Sequence, residues 1–530
     1  MLFNSYEFIF FFLPCALFGF FSVCRFWGIE AGIKCLAFAS LFFYGWWNPI
    51  YLLLIAFSIL FNYSVGGLFN LSFQGNVVLK KKLILAVGIS CNLGLLAYFK
   101  YANFFVENVN YLTGMSLTID TIILPLAISF FTFQQIAYLV DAYSGLVRDY
   151  KFSHYVLFVT FFPQLIAGPI VHHKQMLPQF MRSETLKPQI GNISLGATIF
   201  CIGLFKKAVL ADGIAQYATP VFNAAQAGET LTFFEAWGGA LAYTFQLYFD
   251  FSGYSDMAIG AALMFGIRLP MNFFSPYKST SIVEFWRRWH ITLSTFLRDY
   301  VYIPLGGSRN GKTRRYANLM TTMLLGGLWH GAGWTFVVWG ALHGFYLVIN
   351  HAWRWVCERL GWVFLRKSKI WRFFAWGITF LAVVVGWVFF RAESFEAAIT
   401  MLQGMVGMNG VAIPNGIAAR LGENVQTQLK SWGIEFYLGG GMVFVMTYLW
   451  VIALMLIAVI APNTLQLMRH FKPTVDEYKE SEGGAFEPFV KLTSKIAWKP
   501  TVLWACCIAL LGGLGILALT SVSEFLYFQF

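Results

Sequence analysis

The sequence predicts an all-α polytopic membrane protein of about a dozen transmembrane and re-entrant helices. Three observations carry this. Of the 530 residues, 58% are hydrophobic and only 12% charged, about half the charged share of an ordinary soluble domain. Apolar runs approaching the ~20 residues needed to cross about 30 Å of hydrocarbon recur along the whole length. Lysines and arginines gather between those runs, as they do in cytoplasmic loops. The pattern extends from end to end, so residues 1–530 read as one integral-membrane domain. Its core is expected at about 120–392 and its C-terminal helices at 440–530.

Taken in order, candidate spans lie near Phe8–Cys24, Cys35–Trp47, Pro49–Leu68, Leu83–Phe99, Ile122–Val140 and Ile193–Leu210. Further ones lie near Phe233–Phe249, Met257–Phe265, Trp334–Ile349, Phe373–Phe390, Met442–Ile460 and Val502–Leu519. The shorter ones suit re-entrant pieces, which need protein or a water-filled cavity around their backbone. The first run has no Lys or Arg before it and no small-residue cleavage site behind it, so it reads as a retained span. Arg25, Lys34, Lys80 to Lys82, Arg148, Lys151, Arg354 to Arg372 and Arg469 to Lys499 mark cytoplasmic loops. That sidedness puts both termini outside, Arg309–Arg315 inside, and Glu393–Glu435 outside as a solvated connector. Pro462–Pro500 is then a cytoplasmic loop of mixed sign. No fixed-period repeat supports an inverted-repeat transporter.

The formal net charge of +12 reflects these loops and implies no nucleic-acid partner; the partner it implies is membrane lipid. Eight cysteines without a C-x-x-C pair indicate neither a disulfide framework nor a zinc site. Walker, H-E-x-x-H and G-x-S-x-G patterns are absent. The chemistry concentrates in Glu284–Gly344. Arg287, Arg288, His290, Arg298 and Asp299 stand there among Trp and Phe, and His330 lies between Trp329 and Trp334 in a glycine-rich apolar run. Ionisable residues at membrane depth are costly and point to function. At helical spacing Arg287, His290 and Ser294 would share one face. Arg298 and the basic loop Gly306–Arg315 could receive a phosphorylated cofactor through arginine's planar fork, or be ordinary cytoplasmic-loop charge. His330 itself stays open between a general base and a buried, hydrogen-bonded histidine. His172 and His173, after the Gly168-Pro169 break, suit a structural or substrate-lining role better than a metal site. Asp250 and Asp256 suggest helix capping at a Ser252-Gly253 break, or pairing with the arginines of 287–298.

Several segments resemble the membrane-bound O-acyltransferase family, in the branch of bacterial alginate O-acetyltransferases. They are YFKYANFF (98–105), LPLAISFFTFQQIAYLVDAY (124–143), FFPQLIAGPI (161–170) and LYFDFSGYSDMAIG (247–260). To these add EFWRRWHITLSTFLRDYVYIPLGGSR (284–309), LLGGLWHGAGWTFVVWGALHG (324–344), GWVFFRAES (386–394) and FLYFQF (525–530). VHHKQMLPQF (171–180) is more similar to relatives acting on cellulose or peptidoglycan, which leaves the polymer open. The resemblance implies helices around a central funnel, with His330 as the catalytic histidine and His290 as the second polar residue of the reaction centre. Arg287, Arg288, Arg298, Asp299, Trp329 and Trp334 become candidates for donor binding or tunnel lining. It further implies acetyl transfer from acetyl-CoA, no tightly bound cofactor or metal, and the bacterial inner membrane with periplasmic termini. The expected partners are a periplasmic serine-hydrolase-like acetyltransferase or other acetyl acceptor, and a polysaccharide biosynthesis and export complex. The competing class is a transporter or channel whose intramembrane charges line a solute path.

Overall fold

The computed structural model describes residues 1–70, 77–147, 151–362, 364, 368–476, 485–486, 492–493, 495–520 and 526, without the side chains of 183 and 186. The predicted loop charge Arg148, much of the 462–500 loop and all of the 525–530 motif but Leu526 lie outside the described residues. The first two candidate spans are arms of one helix, α1 (Leu13–Gly45), joined at Gly28, whose φ of 81° turns the chain between them. Helix α2 (Tyr51–Leu68) follows. Helix α3 (Val77–Leu96) then continues through a π-helical turn, Ala97–Tyr101, into α4 (Ala102–Thr113). Helix α5 starts only at Ile128, later than the predicted Ile122, and ends at Tyr143. Short helices α6 (Phe152–Thr160), α7 (Phe162–Leu165) and α8 (His173–Phe180) form a buried, broken segment, as the Gly-Pro signal suggested.

Helix α9 (Ile190–Phe205) runs through a second π-helical turn, Lys206–Ala211, into α10 (Asp212–Gln226). Helix α11 (Phe233–Met264) is buried at every residue from Ala242 to Met264, the pattern of a helix enclosed on all sides. The sequence suggested two segments here with a break at Ser252-Gly253; the helix passes straight through. Gly253 serves packing instead. A Cβ there would lie 2.8 Å from Gly203 O, and one at Gly196 would lie 2.5 Å from Gly260 O. These two glycine pairs let the backbones of α9 and α11 touch, which is how small residues stabilise helix crossings in lipid. The crossing brings Lys206 to Asp256 at 2.6 Å and Lys207 to Asp250 at 2.7 Å. The aspartates therefore pair with lysines, not with the arginines of 287–298, because α9 reaches them first.

Helices α12 (Ile282–Arg288) and α13 (Ile291–Leu297) are short, and α14 (Gly311–His330) and α15 (Trp334–Arg359) form a hairpin. Helices α16 (Lys369–Arg391) and α17 (Phe395–Met405) lead to a small ordered cap. In it β1 (Val411–Pro414) pairs in parallel with β2 (Ile434–Tyr437), around α18 (Asn415–Ala418) and α19 (Glu423–Ser431). The expected connector at Glu393–Glu435 is thus a structured element. Helices α20 (Gly441–Ile460), α21 (Thr464–Leu467) and α22 (Val502–Ala518) complete the described chain. Among the described residues, six helical stretches are long and apolar enough to cross a membrane: 7–45, 51–68, 77–113, 190–226, 369–391 and 441–460. This is an all-α polytopic membrane fold.

Candidate active site

Two breaks in helices meet at the site. The first lies between α12 and α13. Ser281 caps α12 by accepting from Glu284 N–H, and the Glu284 carboxylate takes Arg288 Nε and Nη2 at 3.1 and 2.9 Å. Arg288 also donates to Phe274 O, while Phe274 N–H donates to Arg288 O at 2.9 Å. The helix then stops, and His290 adopts φ 42° and ψ 54°. Left-handed geometry at a residue with a Cβ is strained, and such strain persists where the surroundings impose it. Here the imposing residue is Asn272. Its backbone oxygen accepts from Ile291 N–H at 2.9 Å, and its Oδ1 lies 3.0 Å from His290 Nδ1. The same Oδ1 accepts from Thr292 N–H at 3.4 Å and Thr292 Oγ1 at 2.9 Å. An oxygen only accepts, so Nδ1 carries the His290 proton and Nε2 carries the lone pair of the neutral ring.

The second break is the α14–α15 turn. His330 is the last residue of α14, and Gly331 to Gly333 separate it from α15. It therefore sits at a helix end, not inside a continuous apolar run. Its ring centroid lies 4.9 Å from Trp329, 5.1 Å from both Trp339 and Phe390, and 6.4 Å from His290. His290 and His330 line one cavity with Asp250, Trp289 and Trp387, and Leu526 lies against the same space. Two imidazoles and a carboxylate in a wall of aromatic rings can exchange protons with a small substrate while excluding water.

A line of rings leaves this cavity. Trp329 stacks on Phe133 at 5.2 Å, Phe133 on Phe296 at 4.3 Å, Phe296 on Tyr300 at 4.9 Å, and Tyr300 on His172 at 5.7 Å. It ends in a polar cluster. Tyr300 Oη contacts Asp141 Oδ1 at 3.3 Å and His172 Nδ1 at 3.2 Å, and His173 Nδ1 lies 3.3 Å from Asp141 Oδ2. Burial lowers the pKa of His172 from its ordinary 6.5, against the opposing pull of Asp141.

Residues 85–392, more than half of the chain, match the membrane-bound O-acyltransferase (MBOAT) family. Over 439 residues the chain is 46% identical to the peptidoglycan O-acetyltransferase of Helicobacter pylori, covering 78% of this chain and 81% of that protein. It belongs to the MBOAT family. It is 44% identical over 411 residues to the probable alginate O-acetylase AlgI of Pseudomonas aeruginosa, covering 76% of this chain and 75% of the relative. At greater distance it is 29% identical to the teichoic acid D-alanyltransferase of Streptococcus thermophilus, over 43% of this chain and 57% of that one. This MBOAT protein is a membrane-embedded O-acetyltransferase.

Within this MBOAT chain only part of the expected constellation gathers at the cavity. His330 and His290 face it together, and Trp329 flanks both rings, 6.3 Å from His290. Arg287, His290 and Ser294 do not share a helical face, because the chain breaks at His290. Arg287 is exposed, and Arg288 is buried in its bond to Glu284. Arg298 pairs with its neighbour Asp299 at 2.7 Å, with 60% of its side chain exposed. Trp334 is exposed and donates to Asn108 Oδ1 at 2.8 Å. The basic loop Gly306–Arg315 is half loop and half first turn of α14. Asp250, Trp289 and Trp387 in the cavity wall, and Asn272 and Lys207 behind it, were not among the expected site residues. The polar island around Asp250 was a visible signal. Asn272, in PMNFFSP, carries no pattern that separates it from a turn residue.

Proposed function

We propose that the chain moves acetyl groups from acetyl-CoA, supplied on the cytoplasmic side of the bacterial inner membrane, to an acceptor on the outer side. The acetyl group ends on an exported polysaccharide. The names of the relatives support peptidoglycan or alginate as the polymer class. The observation that carries this reading is the pair His330 and His290 facing one aromatic-lined cavity. His330 takes the proton of the acceptor hydroxyl as its oxygen attacks the thioester carbonyl. The C–O bond forms, the C–S bond breaks, and the proton passes to the departing thiolate, so no cofactor is consumed. His290, with Nδ1 held by Asn272, presents a lone pair at Nε2 and is suited to accept from and orient the hydroxyl. That tautomer does not suit it to donate to the oxyanion.

Sidedness is supported by partners across the fold. Lys151 pairs with Glu30 at 2.8 Å, and Arg315 reaches His351 at 3.2 Å. These residues fit one cytoplasmic rim, where Lys312, Arg314 and Arg315 would meet the phosphates of acetyl-CoA. Tyr6 Oη donates to Ile516 O at 3.2 Å, which holds the N-terminal residues beside the end of α22 and suits a reading with both termini periplasmic. In this reading the cap at 411–437 is also periplasmic and would meet a partner of serine-hydrolase type within an export complex. The test is His330→Ala in a strain lacking its own copy, with base-labile acetate measured on purified peptidoglycan and on exopolysaccharide. The expected result is loss of acetate from one polymer with the protein still present in the membrane. Wild-type acetylation in that variant would refute the reading.

A further inference from the structure

The last turn of α14 leaves its carbonyl oxygens without partners inside the helix. His330 is the final residue of that turn, and Gly331 and Gly333 follow it, so the chain beyond does little to hold it. The partners come from elsewhere. Lys100 Nζ donates to Trp329 O at 2.5 Å and to His330 O at 3.0 Å, and Tyr101 Oη donates to Leu328 O at 2.7 Å. Three consecutive carbonyls are thus held by two consecutive side chains. Lys100 and Tyr101 close the π-helical turn Ala97–Tyr101 between α3 and α4. Such wide turns interrupt a helix at small cost and occur often where side chains must be re-aimed. A lysine at this depth is costly unless it is paired with backbone oxygens or an acid. Its ammonium sits instead at the negative end of the α14 dipole, where a cation is favoured.

We propose that Lys100 and Tyr101 are positioning residues for the acetyl transfer. By fixing the peptide planes on either side of the His330 Cα, they set the direction in which its imidazole enters the cavity toward His290. This rests on the reading of His330 as the base. Neither residue lines the cavity, so they act through His330 and leave donor binding unchanged.

The test uses the full-length protein in inverted membrane vesicles, with acetyl-CoA as the probe, free CoA released as the readout, and rates normalised to protein in the membrane. Lys100→Met is expected to lower kcat by about 30-fold with KM for acetyl-CoA within about twofold of wild type, a shift of reacting groups by under 1 Å being enough. Lys100→Arg, which keeps donors for both carbonyls, is expected to recover at least about a third of the lost rate. Tyr101→Phe is expected to lower kcat by about 3-fold to 10-fold. If His330→Ala is inactive while Lys100→Met turns over at the wild-type rate, or if Lys100→Arg is no better than Lys100→Met, this inference is overturned. An active His330→Ala overturns the underlying reading instead. Should Lys100→Met fail to accumulate, Tyr101→Phe decides, and an unchanged kcat there overturns the inference.

Discussion

Adding one methyl group at Gly327 tests whether the α14–α15 hairpin places His330. The two helices touch backbone to backbone at this point. A Cβ on Gly327 would fall well inside contact with Phe336 O and lie 3.2 Å from Gly340 Cα, while one on Gly340 would press on Met323 O. Carbonyl oxygens of helices cannot rotate away as a side chain end can, so the helices must part by on the order of 1 Å. Overpacking of this kind costs about 1–3 kcal/mol of stability. His330 lies three residues further along the same helix, with its ring 5.1 Å from Phe390 and 6.4 Å from His290. Misplacing reacting groups by about 1 Å costs about 10²-fold in rate. Gly327→Ala is therefore expected to reduce acetyl transfer by about two orders of magnitude, while the protein still reaches the membrane. Release of CoA from acetyl-CoA in vesicles, normalised to the protein present, measures this. The control is Gly377→Ala on α16, where an added Cβ meets nothing within 4 Å. Gly327→Ala turning over within about threefold of Gly377→Ala would mean that the hairpin crossing does not set the position of His330.

Three other perturbations follow from the same geometry. Asn272→Leu removes the acceptor shared by His290 and Thr292 and is expected to lower kcat by about 10-fold to 100-fold with little change in KM; an unaltered kcat contradicts the role given to that tautomer. Lys207→Met strands the buried carboxylates of Asp250 and Asp212, which now lie 2.7 and 2.8 Å from its ammonium. Breaking a buried pair from one side costs about 3–5 kcal/mol, so the detergent-solubilised protein should melt several degrees lower, and unchanged melting counts against the pairing. His172 has its pKa lowered by burial from 6.5, so the folded protein favours the neutral ring. The stability this contributes is present above the unfolded value and is lost as pH falls below about 6.5 toward the folded pKa. Melting temperature should drop between about pH 7 and about pH 5.5, and His172→Asn should flatten that drop; an identical slope in the variant refutes the assignment.

Composition and periodicity determined that this chain is a polytopic helical membrane protein, since 58% hydrophobic residues in runs of helical length leave it no other stable solution. They also singled out Glu284–Gly344 as the candidate stretch, leaving the role of His330 open. Polar residues in lipid are rare enough that His290 and His330 stood out without any structure. What the residues could not supply was direction. Whether 287, 290 and 294 share a face depends on the helix continuing, and Asn272, eighteen residues earlier, breaks it by holding His290 Nδ1 and Ile291 N–H. Whether Asp256 meets an arginine or a lysine depends on which helix reaches it first, and Gly196 and Gly203 let α9 come closest. Arg288 and Arg298 looked alike as intramembrane cations, yet one is buried on Glu284 and the other exposed on Asp299. Each of these outcomes depends on contacts between residues far apart in the chain. Local pattern identifies a costly polar group; only the packing of distant helices decides which partner offsets that cost.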